Sequence, residues 1–86
     1  MQRNAASRIT LHCAIAIVLS ESKHPLTVRE ITSRVNMIGL YHRKDGMPVQ
    51  SNQISARIRR YPDLFVINRM ASPMTIILRG NEENSL

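Results

Sequence analysis

Apolar positions along this chain fall into three helical runs followed by two short alternating ones. From Arg8 to Ser22, apolar residues occupy nearly every side of the helical wheel, including Leu11, Ala14, Ile15, Ile17, Val18 and Leu19. That pattern predicts a helix over residues 8–22 buried on most of its surface, the central pillar of the fold. Residues 20–25 break it. Pro25 excludes helix at His24 and leaves Pro25 and Leu26 extended. Thr27-Val28-Arg29-Glu30 then reads as a capping box: the Thr27 hydroxyl accepts the Glu30 backbone N–H and the Glu30 carboxylate accepts that of Thr27. The second helix, predicted over 28–38, places Val28, Ile31, Val35 and Ile38 on one face, and Gly39 ends it where a left-handed conformation is tolerated.

Residues 40–48 read as a loop, cationic at Arg43 and Lys44, turned by Asp45-Gly46, with Met47 or Val49 available to pack back. Ser51 is a good N-cap for a third helix over 52–61, which Pro62 closes and which turns Ile54, Ile58 and Tyr61 inward. Two strands follow, at 64–69 with Phe65 and Ile67 inward and at 74–79 with Ile76 and Leu78 inward, joined by a tip of Met70, Ala71, Ser72 and Pro73. The inward positions of these separate periods, Ile17, Leu26, Ile31, Val35, Ile54, Ile58, Phe65 and Ile76, should share one core. Helix, extended segment, capped helix, loop, basic helix and hairpin is the order of an α+β winged helix-turn-helix, three helices with a C-terminal β-hairpin wing. Its expected span is residues 8–79, between a flexible leading segment at 1–7 and a flexible tail at 80–86.

Size and charge narrow the function. Eighty-six residues make one domain with a small core and little room for a catalytic cleft. Twelve Lys or Arg against six Asp or Glu give +6, and Glu82 and Glu83 lie in the polar tail, so the folded part is more basic still. A polyanionic partner fits that balance through release of phosphate counterions. Tyr41, Tyr61 and Phe65 are the only aromatic rings, and the core claims two of them, which argues against stacking of single-stranded bases. Cys13, the only cysteine, forms no intrachain disulfide, reads as a buried inert thiol and suits an intracellular setting, which for a DNA-associated module is the nucleus if eukaryotic and the cytoplasm or nucleoid if bacterial. Arg3 and Arg8 before an apolar run imitate a secretory signal, but His12 interrupts the run and no small-residue cleavage site follows. That run is also too short to span a bilayer, so no membrane partner is expected. His12 and Cys13 are sequence neighbours and diverge on a helix, so no metal site is expected; no nucleophile elbow and no phosphate loop occur. The chain reads as a non-enzyme without a cofactor.

The third helix carries the most informative chemistry. With Ile54, Ile58 and Tyr61 inward, Asn52, Gln53, Ala56, Arg59 and Arg60 share the opposite side and Arg57 lies at its edge. Arginine bonds guanine bidentately, Asn and Gln bond adenine so, and Ala permits close approach to a thymine methyl. Asn52, Gln53, Arg59 and Arg60 are therefore candidates for the major groove of double-stranded DNA, with Arg57 at its lip. Arg29, Arg34, Arg43, Lys44 and Arg69 are candidates for backbone phosphates, which position a protein without reading sequence.

The segments His24-Pro25-Leu26-Thr27-Val28-Arg29-Glu30-Ile31-Thr32, Gly39-Leu40-Tyr41, Asp45-Gly46, Ile54-Ser55-Ala56-Arg57-Ile58 and Leu64-Phe65-Val66 together resemble the HARE-type winged helix. The likeness covers about residues 9–79. That family occurs in bacterial restriction and DNA-modification proteins, in the delta subunit of bacterial RNA polymerase and in eukaryotic chromatin regulators. The resemblance implies a nucleic-acid-associated module that positions other activities, and it departs at the wing, where the family carries a glycine and an aromatic. The rival expectation is a docking module of a transcription or chromatin complex. Such a module would present a contiguous apolar patch, for which Met37, Met47, Met70 and Met74 are available.

Overall fold

A computed structural model of the protein describes residues 9–80, so the expected leading segment at 1–7, and all of the expected tail at 80–86 except Gly80, lie outside the described residues. The first helix, α1, spans Leu11–Glu21 and starts later than its apolar run suggests. Thr10 is the reason: its side-chain oxygen accepts the Cys13 N–H at 3.2 Å, satisfying one of the free donors of the first turn. Leu11, Ala14, Ile15, Val18 and Leu19 form the buried stripe. Cys13 and Ile17 lie off that stripe. The expected buried thiol is exposed, and Ile17, expected in the core, is only half-buried. A helix apolar all round has little amphipathic asymmetry, so its sequence does not say which side packs.

After α1 the chain extends, and Leu26–Thr27 forms a short strand, β1. Thr27 then caps α2, Val28–Ile38. The capping box is complete: the Glu30 N–H donates to Thr27 Oγ1 at 3.2 Å, and the Thr27 N–H donates to Glu30 Oε1 at 2.9 Å. Gly39 ends the helix in the left-handed region at φ 69°, where a Cβ would be strained. The loop from Leu40 returns to α3, Ser51–Arg60. Of the two residues available to pack back, Val49 does so and Met47 stays exposed. Gln50, not Ser51, is the N-cap: its N–H donates to Gln53 Oε1 at 3.0 Å. The Ser51 hydroxyl instead lies within hydrogen-bond distance of the Thr32 hydroxyl, at 3.3 Å, joining α3 to α2.

The last two strands, β2 at Phe65–Asn68 and β3 at Thr75–Leu78, pair antiparallel. β1 pairs antiparallel with the other edge of β3, through Leu26 opposite Ile76 and Thr27 opposite Thr75. The expected two-stranded hairpin is therefore part of a three-stranded sheet in the order β1-β3-β2. Register places Leu26, Phe65, Ile67, Ile76 and Leu78 on one face, since opposed residues of a pair share a side and alternate residues of a strand return to it. That face meets Ile15, Ile31, Val35, Ile54 and Ile58 in one cluster. Tyr61 is only partly buried at the rim, its ring stacked on His12 at 4.0 Å between centroids. The result is a small α+β fold of three helices and a three-stranded antiparallel sheet, an arrangement compatible with a winged helix.

Candidate nucleic-acid interface

With Ile54 and Ile58 buried, α3 turns two adjacent stripes outward. Asn52, Ala56 and Arg59, spaced four and three, form the first and are all exposed. Gln53, Arg57 and Arg60 form the second, with Arg60 exposed and the other two half-buried at the flank. No acid lies on α3, and its three arginines fall in the last turn, where the negative end of the helix dipole also favours them.

The loop before α3 brings its two cations to the second stripe. Arg43 Nη2 lies 2.6 Å from Asp45 Oδ2, while its Nη1 reaches Gln53 Oε1 and the Pro48 carbonyl, each at 3.4 Å. The Met47 N–H donates to Asp45 Oδ1 at 3.0 Å. That backbone donor, seconded by Arg43, holds the Asp45 carboxyl below its ordinary value and closes the turn. Lys44 is exposed and lines a shallow hollow with Tyr41 and Gln53. Arg43 thus braces the loop against α3, and Lys44 beside it is the cation left free to face a ligand.

Two site residues take part in the protein's own framework. Gln53 Oε1 accepts both from Gln50 N–H and from Arg43, so its carbonyl is already committed within the fold. Arg43 is committed likewise. The remaining phosphate candidates divide by side of α2. Arg29 shares with Thr32 and Asn36 the flank that meets the α3 region, through Thr32 to Ser51 and Asn36 to Val49. Arg34 lies on the other flank, in a groove with Val18 and Glu21 of α1, and is not brought together with the α3 cations. Arg69 stands exposed in the β2–β3 loop, its Nη1 3.9 Å from Met74 Sδ. Arg79 is anchored structurally, with Nε and Nη2 donating to the Pro62 carbonyl at 3.1 and 2.9 Å.

The sequence reading missed one positioning residue, Asn36, whose amide clamps the segment leading into α3. A polar residue on the α3 side of α2 is its only signal. Comparison of the chain with protein-family models, with curated proteins and with solved structures finds no match. Among the described residues, no helix is long and apolar enough to cross a membrane.

Proposed function

We propose that the protein is a winged-helix module of HARE-like type that binds double-stranded DNA, with α3 in the major groove and the β2–β3 loop as its wing. Asn52, Arg59 and Arg60 meet base edges around the small side chain of Ala56, and Gln53 offers its amide nitrogen. Arg57 lies at the groove's lip; Lys44, Arg29 and Arg69 contact phosphates, and Arg43 braces the loop that presents Lys44. The module would position other activities on DNA in a transcription or chromatin setting.

The observation that carries this reading is the contrast among the arginines. Arg43 and Arg79 make internal bonds to carbonyl or carboxylate oxygens, whereas Arg59 and Arg60 stand exposed on an acid-free helix with no internal hydrogen bond among the described residues. An α-helix fits a groove about 12 Å wide, and a bidentate arginine contributes ~1–3 kcal/mol of discrimination. A docking module would need its exposed methionines together. Met37 and Met47 line different clefts, and Met70 and Met74 belong to the β2–β3 loop.

The test is a titration of labelled duplex at several salt concentrations. Binding should weaken linearly in the logarithm of salt, and replacing Arg57, Arg59 and Arg60 together by Ala should abolish it. No binding at low salt, or an unaffected triple variant, removes the DNA mechanism in favour of docking to protein.

A further inference from the structure

The flank of α2 that faces away from α3 forms a groove against α1 of about 330 Å³. Val18 and Ile38 supply apolar lining, Glu21 stands on the α1 wall, and Arg34 and Met37 stand on the α2 wall. Met37 is 77% exposed. The two charged groups are not paired with each other: the one salt bridge among the described residues joins Arg43 to Asp45. Arg34 has Glu30 one turn back, but that carboxylate is held by the backbone N–H and hydroxyl of Thr27.

An occupant must therefore present an apolar knob flanked by a cation and an anion in the reverse order. The chain's own surface, turned about a two-fold axis, does so. In an isologous contact residue i of one copy meets residue j of the other and j meets i, so one copy's Glu21 faces the other's Arg34 twice over, with the two Met37 side chains between them. Charge selects the same face. The chain carries +6, and two copies approaching through α3 or its preceding loop would bring cations together, whereas this groove carries one charge of each sign. We propose that a second copy of the chain docks on the α1–α2 groove as a symmetric dimer. Both copies keep α3 free on the opposite flank of α2. The dimer stands independently of the DNA reading.

Sedimentation velocity over a range of protein concentrations tests it. The wild-type chain should sediment increasingly as a dimer as concentration rises. Arg34→Glu or Glu21→Arg alone sets like charges across the axis and should raise the dissociation constant about tenfold or more. The double variant E21R/R34E has unchanged net charge and restores complementarity, so its association should return to near the wild-type level. The two single variants, mixed, should associate with each other. Met37→Asp, at an exposed position outside the core, should give a monomer. A wild-type chain that stays monomeric at every concentration reached overturns the proposal. So does association that ignores the single charge reversals, or a double variant as weak as the singles.

Discussion

Asn36 and Val49 are joined by two hydrogen bonds running in opposite directions. The Asn36 amide donates to the Val49 carbonyl at 3.0 Å, and the Val49 N–H donates to Asn36 Oδ1 at 2.9 Å. One side chain thus serves the backbone donor and acceptor of a buried residue, as a neighbouring strand would. The next residue, Gln50, is the cap of α3. The clamp therefore fixes where α3 begins relative to α2, and with it the position of every outward side chain on α3.

Asn36→Ala removes both bonds and leaves both Val49 groups to find water. A loss of ~1–3 kcal/mol is expected in urea unfolding, from two bonds worth about 1 kcal/mol each. Asn36→Asp keeps the acceptor but turns a carboxylate toward the Val49 carbonyl, so it should recover only part of that loss. A midpoint unmoved by either substitution would show that α3 is placed by apolar packing alone.

The capping box predicts a pH dependence with a definite sign. The Thr27 backbone N–H donating to Glu30, helped by the Thr27 hydroxyl, by His24 and by Arg34, holds the Glu30 carboxyl below its ordinary value of 4.5. The folded state thus favours the ionised form more than the unfolded chain does. That contribution is fully present above pH 4.5 and is lost as pH falls through the depressed folded value. Stability measured by urea unfolding from pH 6 downward should decline across that window. Glu30→Gln keeps an acceptor oxygen but cannot titrate, so its decline should be shallower; an equal slope in both proteins would place the acid sensitivity elsewhere.

What was legible in the sequence was local. The capping box needs only Thr27 and Glu30, and the inward faces of α2 and α3 need only the spacing of Ile31, Val35, Ile54 and Ile58. What was not legible depends on distant partners. β1 has two residues and becomes a strand because Ile76 and Thr75 lie beside it, far along the chain. Cys13 is exposed and Ile17 only half-buried because the buried stripe of α1 lies on another side, a choice its all-round apolarity leaves open. At the candidate site the same division holds. Periodicity alone put Asn52, Arg59 and Arg60 on one face of α3. The commitments of Gln53 and Arg43, and the separation of Arg34, follow from the course of the loop and the packing of α1 on α2.

Phe65 tests the core directly. It is 2% exposed on the inner face of β2, opposite Leu78, and its N–H donates to the Tyr61 carbonyl at 3.2 Å. The side chain therefore anchors the sheet just where the chain leaves α3. Phe65→Ala should cost ~3–5 kcal/mol, a large share of what a domain this small possesses. Thermal melting followed by circular dichroism should show the variant largely unfolded, while Phe65→Leu, which keeps most of the volume, should stay folded with a lower midpoint. Near wild-type melting for Phe65→Ala would mean that the helices hold together without the sheet.

The sharpest prediction for the DNA reading separates two cations that differ in position. Arg60 is exposed on the outward face of α3, while Lys44 is exposed on the preceding loop beside Gln53. A groove arginine reads a base, so Arg60→Ala should weaken the preferred duplex by ~1–3 kcal/mol and relax preference at one base position. A phosphate contact reads none. Lys44→Ala should weaken every duplex alike and lower the salt dependence by about one ion. The measurement is a matrix of binding titrations, each variant against a set of single-base variants of the preferred site at several salt concentrations. If Arg60→Ala lowers all sequences equally, α3 lies along the backbone instead of in the groove. If Lys44→Ala instead changes base preference, the loop enters the groove and α3 does not.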